Sequence, residues 1–174
     1  VVLLSASLIY GQFSHQFTQI TRNSHYGSVY GVAIDTDGTV FIANGNGGLR
    51  AYNYDGASFT NTAQFDNDES AYGVTVGSDG TVFLANGNGG LRALDYDGSS
   101  FTNTAHINDG GSADRVTVGS DGTVFLANSS DGLRAYTYDG FSFTNTAHIN
   151  DGGWASGVTV GSDGTVFLAN GNGG

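Results

Sequence analysis

The reading of the chain turns on Gly73–Gly111, GVTVGSDGTVFLANGNGGLRALDYDGSSFTNTAHINDGG, because near-copies of it fill almost all of the remaining sequence. The glycine of its Asp-Gly-Thr triplet recurs at Gly38, Gly80, Gly122 and Gly164, each 42 residues after the last, with no insertion or loss. Tandem units in the forties, cut into strand-like runs by glycine turns, are the signature of β-propeller blades and not of helical arrays.

Within the unit four strands follow one another. Gly73 to Val76 is small and β-branched, and suits a crowded central axis. A Ser-Asp-Gly turn leads to a second strand, Thr81 to Asn86, apolar on both faces as a sheet sandwiched between sheets requires. The run Gly87 to Gly90 turns into a third strand, Leu91 to Tyr96, and Asp97-Gly98 into a fourth, Phe101 to Ile107. Asp-Gly and Asn-Gly between β-rich runs are hairpin signals, so each unit reads as a four-stranded antiparallel meander. A single such sheet cannot bury both faces, and its neighbours are obligatory. The second strands, Thr39 to Asn44, Thr81 to Asn86, Thr123 to Asn128 and Thr165 to Asn170, are expected to be buried on both faces, with Phe41, Phe83, Phe125 and Phe167 in the core.

Laid on this period, the chain is one all-β propeller domain, 1–174. Full blades occupy 31–72, 73–114 and 115–156, and a fourth blade is divided between the two ends. Residues 157–174 supply its first and second strands, and 1–30 its third and fourth. Phe17, Phe59, Phe101 and Phe143 share one column, and Tyr10 and Tyr52 another.

Composition narrows the function. The chain of 174 residues holds 29 glycines, no proline, cysteine or methionine, and carries a formal charge of −11. Hydrophobic content of 39 %, set in regular runs, argues against a disordered Gly/Asn/Ser chain. Excess acid disfavours nucleic acid and anionic membranes as partners, since both need a basic patch. The first ten residues, VVLLSASLIY, read like the apolar part of a secretory signal without its basic start, and are too short to span a bilayer.

The segment YGVTVGSDGTVFLANGNGGLRALDYDG resembles the LVIVD-type propeller repeat of bacterial and archaeal cell-surface proteins, with its Y-x-G-V-x-V strand, V-x-V-A strand and G-G-L strand. It departs from that type where Tyr-Asp-Gly replaces a proline-containing stretch. The resemblance implies an extracellular or cell-surface, non-enzymatic module; it covers most of residues 14 to 174.

Residues repeated in every copy are most simply structural, and departures from a column are candidates for function. The Asp-Gly turn aspartates and the Asn-Gly-Asn-Gly-Gly runs read as turn chemistry; no bidentate glutamate completes a calcium loop, and no lysine completes a phosphate loop. Arg50, Arg92 and Arg134 share a column expected to make ion pairs or hydrogen bonds to a turn aspartate or a neighbouring carbonyl. The histidines have no serine or carboxylate at a recognisable spacing, so no catalytic set and no cofactor are assigned. Asp66, Asp68 and Glu69 form an acidic loop whose oxygens offer a loose calcium site, with a solvated loop as the plainer reading. Asn128-Ser129-Ser130 is a glycosylation sequon. Trp154 replaces the serine of the other copies (Ser28, Ser70, Ser112), and an exposed aromatic there suits a sugar or a partner protein.

The function expected is a secreted, non-enzymatic structural subunit of an extracellular or cell-surface assembly, a filament where the head-to-tail contact does not close. Self-association would run through the terminal strands, with Val1, Val2, Leu3, Leu4 and Leu8 as the donated apolar residues. A propeller module binding glycans or surface proteins, and a fragment of a longer array, are the alternatives.

Overall fold

The computed structural model describes residues 27–172, together with two strand pieces, β1 (Leu4–Ser5) and β2 (Thr18–Gln19). Each of three units is the expected meander. The first is β3 (Gly31–Ile34), β4 (Val40–Ala43), β5 (Leu49–Tyr54) and β6 (Phe59–Phe65). The second is β7 (Gly73–Val76), β8 (Val82–Ala85), β9 (Leu91–Tyr96) and β10 (Phe101–Ile107); the third is β11 (Arg115–Val118), β12 (Val124–Ala127), β13 (Leu133–Tyr138) and β14 (Phe143–Ile149). Strand order within each sheet follows the sequence, all antiparallel, and β15 (Trp154–Val160) and β16 (Val166–Gly171) form a two-stranded half-blade.

The blades are joined by the same contacts at each joint. First strands lie so close that a Cβ on Gly31 would stand 3.3 Å from Cα of Gly73, and one on Gly73 would stand 3.0 Å from Cα of Arg115. Single antiparallel bridges, Gly45 to Ala71, Gly87 to Ala113 and Ser129 to Ala155, tie the turn after each second strand to the loop of the next blade. Between them lies the core. Phe41, Ala43, Leu49 and Ala51 of the first blade pack on Val74, Val82, Leu84 and Leu94 of the second. Phe83, Ala85, Leu91 and Ala93 pack in the same way on Val116, Val124, Leu126 and Tyr136. Aromatic rings seal the outer part of each joint: Phe41 meets Tyr96 edge-on at 5.3 Å, and Phe83 meets Tyr138 at 5.5 Å. Such pairs add about 0.5–1.5 kcal/mol beyond burial. Thr62 bonds the Tyr96 hydroxyl across the first joint, and Thr104 bonds that of Tyr138 at 2.7 Å across the second.

Two expectations need correction. The fourth second strand is not buried on both faces: β16 alternates, and Phe167 is 58 % exposed where Phe41 and Phe83 are 1 % and 4 %. The reason is that a second strand is covered only when a blade stands on each side, and among the described residues none stands beyond β16. The half-blade also lacks the outer tyrosine and phenylalanine that cover the preceding blade. Ala147 of β14 is therefore exposed, while its equivalents Ala63 and Ala105 are buried.

The second correction concerns the amino-terminal pair. β1 and β2 are antiparallel, as third and fourth strands must be, but the blade register would place Thr18 opposite Gly11, whereas it lies opposite Ser5. The Tyr10–Tyr52 column therefore does not carry over into this pair. Among the described residues β16 is hydrogen-bonded to β15 alone. Val1, Val2, Leu3 and Leu8 lie outside the described residues, as does the side chain of Leu4.

Candidate functional site

The antiparallel alternation sends the Asp-Gly turns to one end of the array and the Asn-Gly-Asn-Gly-Gly turns to the other. The Asp-Gly turns are locally self-sufficient: Asp55 accepts from the backbone N–H of Ala57 and Ser58 and from the Ser58 hydroxyl, and Asp97 and Asp139 repeat the pattern. These bonds favour the carboxylate, so both turn types are ordinary structural elements. Near the same end the first strands of all four copies border a groove of ≈ 580 Å³ lined by Ile34, Val76, Val118, Val160 and the Gly-Ser pairs that follow the last three. Asp35 and Thr36 take the place of the Gly-Ser pair in the first copy.

The other end carries the polar contacts between blades. In each third-strand turn a glycine lies against the end of the fourth strand: a Cβ on Gly48, Gly90 or Gly132 would meet the carbonyl oxygen of Phe65, Ile107 or Ile149 at 2.2, 2.3 and 2.2 Å. His106 and His148 contact the turn carbonyls of Gly89 and Asp131 through Nε2, at 2.6 Å each. Asn86, Asn128 and Asn170 reach from the end of the second strand to the loop that precedes their own blade's first strand. Asn128 donates to the carbonyl of Gly110 and the carboxylate of Asp131, and is 2 % exposed. The sequon asparagine is thus closed off in the folded chain.

The arginine column resolves into different partners. Arg134 donates through Nε to Asp131 at 2.5 Å and through Nη1 to Asp109 at 3.3 Å, while Tyr136 donates to the same Asp109 carboxylate. Burial, with Asp109 beside it, pushes the Tyr136 phenol far above its ordinary range. Arg92 stacks 5.8 Å from the Phe65 ring centroid and donates to Asn103. Arg50 keeps a buried Nε without a partner among the described residues. One column therefore gives an ion-pair network in one blade and a cation–π contact in another.

Asp66, Asp68 and Glu69 do not converge as calcium ligands. Asp66 instead accepts the backbone N–H of Asp68, which sits at φ 64°, and among the described residues no three His, Cys, Asp or Glu side chains stand close enough to hold a metal ion.

Trp154 is 55 % exposed and lies beside the carboxylate of Asp114, which accepts the Ser112 hydroxyl at 3.2 Å. Burial raises the Asp114 carboxyl above its ordinary range, against the pull of Ser112, Arg115 and Trp154. Arg115 donates through Nη1 to the carbonyls of Tyr72 at 2.9 Å and Asp114 at 2.7 Å. Asp114 and Arg115 escaped the sequence reading although the signal was present: they break a column that reads Tyr30-Gly31 and Tyr72-Gly73.

No protein-family model matches the sequence, and neither does any curated protein sequence. Solved structures do match. A protein from Lactobacillus plantarum is similar with a TM-score of 0.70 at 15 % identity, over 80 % of this chain and 49 % of that one. Virginiamycin B lyase from Staphylococcus aureus is similar with a TM-score of 0.70 at 17 % identity, over 90 % of this chain and 53 % of that one. The chain spans about half the length of either structure. At such identities the likeness is one of fold, and it agrees with the meanders, their shared axis and their repeated joints: the chain is an all-β array of 42-residue β-propeller blades.

Proposed function

We propose that the chain is a secreted, non-enzymatic structural subunit of an extracellular or cell-surface assembly, joined to its neighbours by strand pairing at the ends of the array. The observation that carries this reading is the uncovered half-blade. β16 presents an unpaired edge among the described residues, and the face holding Phe167 repeats a surface that is buried at both complete joints. An open edge beside an apolar face favours strand addition, because main-chain hydrogen bonds and side-chain burial act together. The partner strands are the antiparallel pair containing β1 and β2, donated by a second copy. The LVIVD resemblance of the repeat supports the surface location, and the engagement of His106 and His148 with turn carbonyls supports a structural role. The lyase activity named for the Staphylococcus protein belongs to that protein.

Light scattering after size exclusion, with direct imaging, tests the reading on the full chain and on a chain lacking residues 1–10. Head-to-tail polymers are expected from the first and mainly monomers from the second. Polymers formed at undiminished yield without residues 1–10 overturn strand donation.

A second reading has its own support, since the two similar structures are each about twice as long as this chain. In it further blades complete one ring, and Phe167 is covered within a single larger protein. An intact mass of the native protein above that of 174 residues, with a monomeric ring in solution, decides for it.

A further inference from the structure

Tandem copies this similar allow each position to be compared with its own equivalents. At the first joint Ser28, Tyr30, Gly45, Asn46, Ser70 and Tyr72 line a polar cleft of ≈ 340 Å³, bordered also by Gly27. Advanced by two units, those six positions become Ser112, Asp114, Ser129, Ser130, Trp154 and Ser156. Five of the six differ from the first-joint residue, and Arg115 is an added departure next to them. Phe141, a departure at the opposite end, is 85 % exposed and stands alone, whereas residues 65–69 depart from residues 107–111 as one continuous loop. The departures of the third joint differ from both, because they come from three separate segments of the chain at the equivalents of one cleft.

Their chemistry is coherent. Trp154 offers an exposed ring, and the Asp114 carboxylate lies beside its indole edge. Asp114 keeps acceptor capacity beyond the bond from Ser112. Arg115 directs one terminal nitrogen at two carbonyls and leaves Nε and Nη2 without a partner among the described residues. Exposed Ser130 adds a hydroxyl at the rim. An exposed aromatic face flanked by one carboxylate and one guanidinium is the combination that receives an apolar C–H face while accepting from and donating to adjacent hydroxyls. The formal charge of −11 and the carboxylate in the site oppose an anionic ligand.

We propose that the third joint holds a site for a neutral saccharide, with a pyranose ring stacked on Trp154 and its vicinal hydroxyls bonded by Asp114 and Arg115. The site is built from residues on β11, β15 and the loops before them, and does not depend on how the half-blade is covered. Ser129 keeps the left-handed backbone of its glycine equivalents, at φ 55°, and the same bridge to the next blade, here to Ala155.

Trp154 is the single tryptophan of the chain, so its fluorescence reports on this site alone. The full chain is titrated with neutral gluco-, galacto- and manno-oligosaccharides, followed by Trp154 emission and by calorimetry. A saturable change in emission with matching heat is expected for at least one of them. Asp114→Ala, checked for its β-sheet circular dichroism, should weaken that binding about tenfold or more, the loss for removing a charged hydrogen-bond partner. Phe141→Ser should leave it unchanged. The proposal is overturned if no sugar of the panel alters emission or gives heat, or if folded Asp114→Ala binds as well as the natural chain.

Discussion

At the scale of single residues, the repeat lets one substitution be weighed against another in the same chemical setting. Gly80 and Gly90 both have positive φ, 87° and 75°, but a Cβ on Gly80 meets nothing within 4 Å, whereas one on Gly90 lies 2.3 Å from the Ile107 carbonyl oxygen. Gly80→Ala bears only the left-handed backbone cost, about 1 kcal/mol. Gly90→Ala must also push the turn off β10 and is expected to cost about 3 kcal/mol or more, the upper part of the range for local backbone strain. Denaturant melts of the two variants measure the difference; equal losses would mean the turn does not rest on β10. Core residues separate in the same way. Phe83→Ala removes a ring packed on Tyr138 and Phe143, and should cost about 3–5 kcal/mol. Phe167→Ala in monomeric protein should cost far less because that ring is mostly exposed. A large loss at Phe167, seen only at concentrations where chains associate, would place that face in a contact.

At the scale of the element, the Asp-Gly turns couple stability to pH. Backbone N–H groups of Ser58, Thr123, Phe141 and Thr165 are the leading cause that lowers the carboxyls of Asp55, Asp121, Asp139 and Asp163, and the Ser100 hydroxyl leads for Asp97. A carboxyl lowered in the folded state stabilises the fold above its unfolded value, and that contribution is lost as pH falls through the folded one. Buried Asp114 acts in the opposite direction, its raised carboxyl disfavouring the fold as pH rises through the folded value. With five turn carboxyls against one, the denaturation midpoint should hold from neutrality down to about pH 4, the ordinary carboxylate range, and fall below it. A midpoint unchanged well below that range would contradict the turn assignment. These turns were also the most legible part of the sequence, since Asp-Gly acts within four residues. Strand boundaries followed from them, and β4, β8 and β12 lie where the apolar runs put them. The exposure of β16 was not legible, because burial of a second strand depends on a neighbouring blade and not on its own residues. The partners of Arg50, Arg92 and Arg134 were not legible either: the same residue at the same place in equivalent strands finds Asp131 in one blade and Phe65 in another.

At the scale of the molecule, the repeated unit specifies joints as much as blades. Each of the first two joints comprises one backbone bridge, one close approach of first strands and one interlocked row of apolar side chains. The number of blades is not encoded in any of these, which is why the period disclosed the architecture while leaving closure to the assembly experiment. The candidate saccharide site was half legible. Trp154 stood out against the serine column, but Asp114 lies forty residues earlier and comes beside it only when two blades meet. Among the described residues no helix is long and apolar enough to cross a membrane.

The sameness of the first two joints has a genetic consequence. Unequal exchange between two copies of the coding repeat removes or adds 42 residues, and the new neighbours meet through the same glycine approach, the same bridge and the same phenylalanine–tyrosine contact. Such an event changes the length of the array without creating a foreign interface. The third joint is different. An exchange that replaces Asp114 and Arg115 by the Tyr-Gly of another copy would leave a sound propeller and strand Trp154 without the carboxylate beside it, so the molecule can drift in size far more freely than in that one corner of its surface.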